Sequence, residues 1–83
     1  MILVMTSSLN TLAKLPAGST ATIASLSGGR SSLTRLREMG LVPGTLVTVV
    51  RRAPMGEPIE ISVRGSRLAM RNHEAAHIQL QNS

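Results

Sequence analysis

The sequence predicts a mostly β domain: a small barrel of about five short strands with one to two short helices. Three observations predict it. Period-2 alternation recurs in short runs, most cleanly at 58–63, where Ile59, Ile61 and Val63 alternate with Glu60 and Ser62. Turn-forming residues punctuate the second half of the chain at Gly40, Pro43, Gly44, Pro54, Gly56, Pro58 and Gly65. Apolar residues at helical spacing are confined to two short windows near 7–15 and 31–39. Closing such short strands into a barrel removes the free edges that an open sheet would expose.

Taken in order, the first five residues, Met1-Ile2-Leu3-Val4-Met5, are apolar. The run is shorter than a signal peptide's apolar core and far shorter than the roughly 20 residues of a spanning helix. Residues 1–8 therefore read as a tail or a short extra strand, and residues 9–81 as the domain. Leu9, Leu12 and Leu15 suggest a helical turn that Pro16-Ala17-Gly18 ends. Residues 20–26 read as a strand, with Ala21 and Ile23 on one side. Ser27-Gly28-Gly29 turns. Residues 31–39 read as a helix capped by Ser31 or Ser32, with Leu33, Leu36 and Met39 as its apolar stripe and Gly40 as its stop. Pro43-Gly44 makes a tight turn. Residues 45–52 form a strand with Val47 and Val49 on one face, and 53–57 a loop. The 58–63 strand follows, then a turn at 64–66. Residues 67–71 alternate again with Leu68 and Met70 inward. A polar turn leads to a last strand at 77–81 with Ile78 and Leu80 inward.

Composition narrows the function. The chain has 83 residues, enough for one domain with a small core. It contains no Phe, Tyr or Trp. Modules for single-stranded nucleic acid stack bases on such rings, and proline-rich peptide grooves are lined by them. There is no cysteine, hence no disulfide and no thiolate nucleophile or ligand, which fits a cytoplasmic setting. The net charge of +5 is carried by Arg30, Arg35, Arg37, Arg51, Arg52, Arg64, Arg67 and Arg71 with Lys14. Such a balance suits an acidic partner, but the arginines do not form a run. A recognition helix carrying Arg35 and Arg37 into DNA would need a paired helix before it, and none is marked. No nucleic acid is expected as partner. No G-x-x-x-x-G-K-[ST] loop is present, so the chain holds no nucleotide of its own.

One stretch, His73-Glu74-Ala75-Ala76-His77, matches the H-E-x-x-H signature of zinc peptidases. That chemistry needs a helix presenting both imidazoles on one face, a carboxylate base and a third protein ligand. After His77 the chain alternates as Ile78-Gln79-Leu80-Gln81, a strand pattern. The only other carboxylates are Glu38, Glu57 and Glu60. The expectation is a polar turn with both imidazoles facing solvent. His73, Glu74 and His77 could share an opportunistic surface metal, weakly bound zinc or iron(II), or bridge two copies in a weak metal-mediated homo-oligomer. No cofactor is required.

The assembled pattern resembles the FeoA family, a small cytosolic component of bacterial ferrous iron uptake. The resemblance runs from about 9 to 80. It rests on Gly40, Leu41, Pro43, Gly44, Ala53, Pro54, Gly56, Pro58, Gly65, Arg71, Glu74, Ala75 and Ile78 in order and at the family's spacing. Ser66 departs from it, since relatives usually carry a larger residue there. The resemblance implies an SH3-like barrel, no enzymatic activity, and an accessory role beside the membrane GTPase permease FeoB. It implies a cytoplasmic protein, recruited to the inner face of the membrane through that partner without inserting itself. The contact is expected on the helix and the 53–58 loop, through Arg35, Met39, Pro54, Met55 and Glu57. The alternative reading is a metal-linked regulatory or nucleic-acid-associated SH3-like module, since the same domain type occurs fused to metal-responsive repressors.

Overall fold

The computed structural model describes residues 10–81. The proposed tail or strand at 1–8 and the start of the first helical turn lie outside them. A short 3₁₀ helix (Leu12–Lys14) is followed by β1 (Thr20–Leu26), α1 (Arg30–Glu38), β2 (Leu46–Arg52), β3 (Ile59–Val63), β4 (Ser66–Met70), α2 (Asn72–Ala75) and β5 (Ile78–Leu80). The strands form one antiparallel sheet in the order β4-β3-β2-β1-β5.

The sheet curls because β1 serves two neighbours. Thr20–Thr22 pair with β2, while Ile23–Leu26 pair with β5, with a register shift between Ile23 and Ser25. A second shift, between Val49 and Arg51, bends β2 against β3. An extra residue in one strand adds local twist, which lets a short sheet wrap onto itself. The inward rows predicted by alternation are buried: Val47 and Val49 on β2, Ile59, Ile61 and Val63 on β3, Met70 on β4, Ile78 and Leu80 on β5. Leu12, Ile23, Leu36, Leu41 and Ala75 complete a single core cluster, with Leu68 only partly buried at its rim.

Helix α1 starts one residue earlier than the sequence suggests. Its N-cap is Gly29, without a side-chain cap, and Ser31 and Ser32 lie exposed inside the first turn. Gly28, at φ +114°, turns the chain so that extended Gly29 already leads into the helix, and the Gly29 carbonyl accepts the Leu33 N–H at 2.9 Å. At the other end Gly40 has φ +87°. Its N–H donates to the Arg37 carbonyl and the Leu41 N–H to the Leu36 carbonyl, the paired bonds of a left-handed helix stop.

The segment read as a polar turn before the last strand contains one turn of helix, α2. Four residues cannot sustain a helix alone. Two carboxylates hold this one. Glu57 Oε2 accepts the Asn72 N–H at 3.0 Å, and Glu74 Oε1 accepts the Arg71 N–H at 3.0 Å. Arg52, counted in the sequence as one of the scattered surface charges, turns inward. Its guanidinium donates to the carbonyls of Ala13 and Leu15, both at 2.8 Å, and to Asn72 Oδ1 at 3.4 Å. It thereby ties β2 to the 3₁₀ segment and to α2.

Candidate functional site

α1 and α2 face one another across a cleft of about 180 Å³ lined by Ser32, Arg35, Leu36, His73, Glu74 and His77. A wider groove of about 440 Å³ adjoins it, lined by Arg35, Pro58, Ala69, Met70, Arg71, His73 and Glu74. The fold thus brings all three residues of the H-E-x-x-H match to one wall and sets Arg35, some 40 positions away in the chain, on the other.

Their environments differ. His73 is exposed, as the turn reading expects. His77 is half-buried, contrary to the expectation of a solvent-facing ring. The imidazole lies against Gly28, where an added Cβ would come within 3.2 Å of Nδ1, and Nδ1 is 3.4 Å from Ser27 Oγ. The cause is the β1–β5 pairing, which carries the Ser27-Gly28 turn alongside His77 and bonds the Ser27 N–H to the His77 carbonyl at 2.8 Å. Glu74 is committed at both oxygens: Oε1 to the Arg71 N–H, and Oε2 to Arg35 Nη2 at 3.4 Å.

The peptidase match therefore lacks its geometry. The helix ends at Ala75, His77 falls beyond it, and the glutamate is paired with an arginine instead of standing free. Among the described residues no three His, Cys, Asp or Glu side chains are gathered to hold a metal ion.

The residues expected to meet a partner are spread over two elements. Pro54 and Met55 are exposed at the tip of the 53–58 loop, Met55 at 93% of its surface. Arg35 is exposed on α1, whereas Met39 is half-buried and packs on the core. Glu57 is half-buried and occupied: besides bonding the Asn72 N–H, it sits 3.3 Å from Arg71 Nη1. Pro58 and Arg35 border the same groove, so loop and helix meet at one place on the surface. Sequence reasoning gave Ser27 and Arg52 no part in the site, because their partners lie in segments remote in the chain. No described helix is long and apolar enough to cross a membrane.

Fold and site together define a small antiparallel barrel of the kind that meets its partners through loops and an exposed face. The FeoA domain family matches residues 10–82. The chain belongs to the FeoA family. It is 33% identical to a Stenotrophomonas maltophilia FeoA solved with zinc and described as a prokaryotic SH3 domain protein, covering 86% of this chain and 88% of that one at a TM-score of 0.76. It is 38% identical to a Chlorobium tepidum FeoA protein, covering 86% of this chain and 68% of that one, at a TM-score of 0.79. It is also 31% identical over 70 residues to a Porphyromonas gingivalis fusion of Fe(2+) transport protein A with the Fe(2+) transporter FeoB. That match takes in 84% of this chain but 8% of the fusion's length. Manganese-dependent transcriptional repressors share the fold at TM-scores of 0.79 and 0.80, with 17% and 18% identity.

Proposed function

We propose that this protein is a non-catalytic accessory of ferrous iron uptake that docks on the cytosolic part of a FeoB-type membrane permease and modulates it. The observation that carries this reading is the Porphyromonas gingivalis relative, in which a segment aligned with 84% of this chain is covalently joined to the transporter. Fusion raises the effective concentration of two parts that work together. Where the two are not joined, affinity has to supply that proximity.

The docking face is the rim of the groove between the 53–58 loop and α1. Met55 and Pro54 offer exposed apolar surface, and Arg35 offers an exposed guanidinium. Met39 and Glu57 act behind this face, shaping the helix and the loop. In this role the chain resides in the cytoplasm at the inner membrane face, requires no resident cofactor, and leaves GTP chemistry to its partner. The alternative of a DNA-linked regulatory module rests on fold likeness alone.

The test is a pull-down of the cytosolic part of the permease by the full chain, with and without a GTP analogue. Retention in at least one nucleotide state, weakened by Met55→Asp, is the expected result. No association in either state overturns the reading.

A further inference from the structure

The histidines at 73 and 77 are left without a task by the permease reading, and the structure gives them a shared setting. The backbone continues in helical conformation through Ala76 (φ −66°, ψ −17°). The Ala76 N–H reaches the Asn72 carbonyl at 2.9 Å, and the His77 N–H reaches the Glu74 carbonyl at 3.1 Å. His77 follows directly on this turn, and its side chain and that of His73 line the same cleft.

The surroundings prepare His77 as a ligand. Metal-bound histidines characteristically give their second ring N–H to an oxygen, which fixes the tautomer. Ser27 Oγ, 3.4 Å from His77 Nδ1, is an oxygen in that position, with its hydroxyl also placed to donate to the His77 carbonyl at 3.4 Å. With the ring proton on Nδ1, the Nε2 lone pair is open to a metal. Gly28 makes room for the ring in this position, since a Cβ there would crowd Nδ1. Glu74 is not available in the same way, because it caps α2 and pairs with Arg35.

We infer that His73 and His77 form a two-imidazole site for a borderline divalent cation, completed by water. Nitrogen donors of this kind favour zinc over iron(II). The site is a binding site of the cleft and stands independently of permease docking. It has a built-in antagonist. Arg35 lines the same cleft and its guanidinium carries a fixed positive charge toward Glu74, so it repels an arriving dication. The ion pair between α1 and α2 and the metal therefore compete for the same space.

The probe is zinc chloride titrated calorimetrically into the full chain, with histidine ring ¹⁵N shifts followed in parallel by NMR. One zinc per chain in the micromolar range is expected, with both imidazoles shifting together. His73→Ala, at an exposed position that leaves the core intact, should weaken binding at least tenfold. Arg35→Gln should tighten it by roughly three- to tenfold at low salt, the effect of removing one unit charge at cleft distance. Zinc binding that survives His73→Ala/His77→Ala, a stoichiometry of one zinc per two chains, or an Arg35→Gln variant that binds no tighter would each overturn the site as placed here.

Discussion

Single side chains divide here into those that fill the barrel and those that tie it. Ile61 is fully buried in the middle of β3, opposite Val49 on one side and Leu68 on the other. Ile61→Ala removes contacts that neighbours of fixed backbone cannot replace, at a cost of about 2–4 kcal/mol. For a domain whose total stability is near the lower end of about 5–15 kcal/mol, urea unfolding should show a barely folded variant. Arg52 works differently. Its planar fork reaches two carbonyls and an amide oxygen at once, and a lysine, with one ammonium, cannot serve all three. Hydrogen bonds from a charged donor contribute about 1.5–3 kcal/mol each. Arg52→Lys keeps the charge and loses at least one of these bonds, so Tm should drop by roughly 6–24 °C at about 4–8 °C per kcal/mol. A lysine variant that melts with the native protein would show that these carbonyls are satisfied by water. The sequence marked Ile61 through its alternation. It marked Arg52 only as a basic residue, because the carbonyls it serves lie 37 and 39 positions away.

At the scale of elements, the two tight turns have opposite fitness for their residues. Gly40 sits at φ +87° with open space where a Cβ would go, so Gly40→Ala costs conformational energy alone, about 1 kcal/mol. The β3–β4 hairpin closes on two residues, Arg64 at φ +52° and Gly65 at φ +83°, between paired Val63 and Ser66. That backbone suits Asn-Gly better than Arg-Gly. Arg64→Asn should raise Tm by a few degrees in a calorimetric scan, and a lower Tm would mean that the Arg64 side chain contributes contacts of its own. Strands β2 to β4 were legible because half-buried strands must alternate, and Gly40 was legible because a helix stop needs a left-handed residue. α2 was not legible. Its four residues carry no apolar period, and the Glu57 carboxylate that receives its first N–H comes from another loop. The site was legible in the same partial way: His73, Glu74 and His77 stand out as chemistry, while Ser27 and Arg35, which decide what that chemistry can do, are brought in by the β1–β5 pairing and by α1.

For the molecule as a whole, the sheet encloses one core cluster among the described residues. Leu12 from the 3₁₀ segment and Ala75 from α2 are both fully buried in the cluster formed by the strands, and Arg52 ties their two segments to β2. The ion pairs Arg35–Glu74 and Arg71–Glu57 add little by comparison, since both arginine side chains are 68% exposed and such pairs contribute about 0–1 kcal/mol. Loosening the α2–β5 end therefore opens the same core that β3 and β4 close, and unfolding should be a single cooperative transition. The lack of any Phe, Tyr or Trp removes intrinsic fluorescence as a probe. Far-UV circular dichroism reads the sheet, and methyl proton resonances read Leu12, Ile61 and Ile78 separately. The thermal curves from all of these should superimpose. An Ile78 methyl that loses its native shift at lower temperature than Ile61 would show instead that α2 and β5 detach as a unit, and that the cleft between α1 and α2 opens before the barrel does.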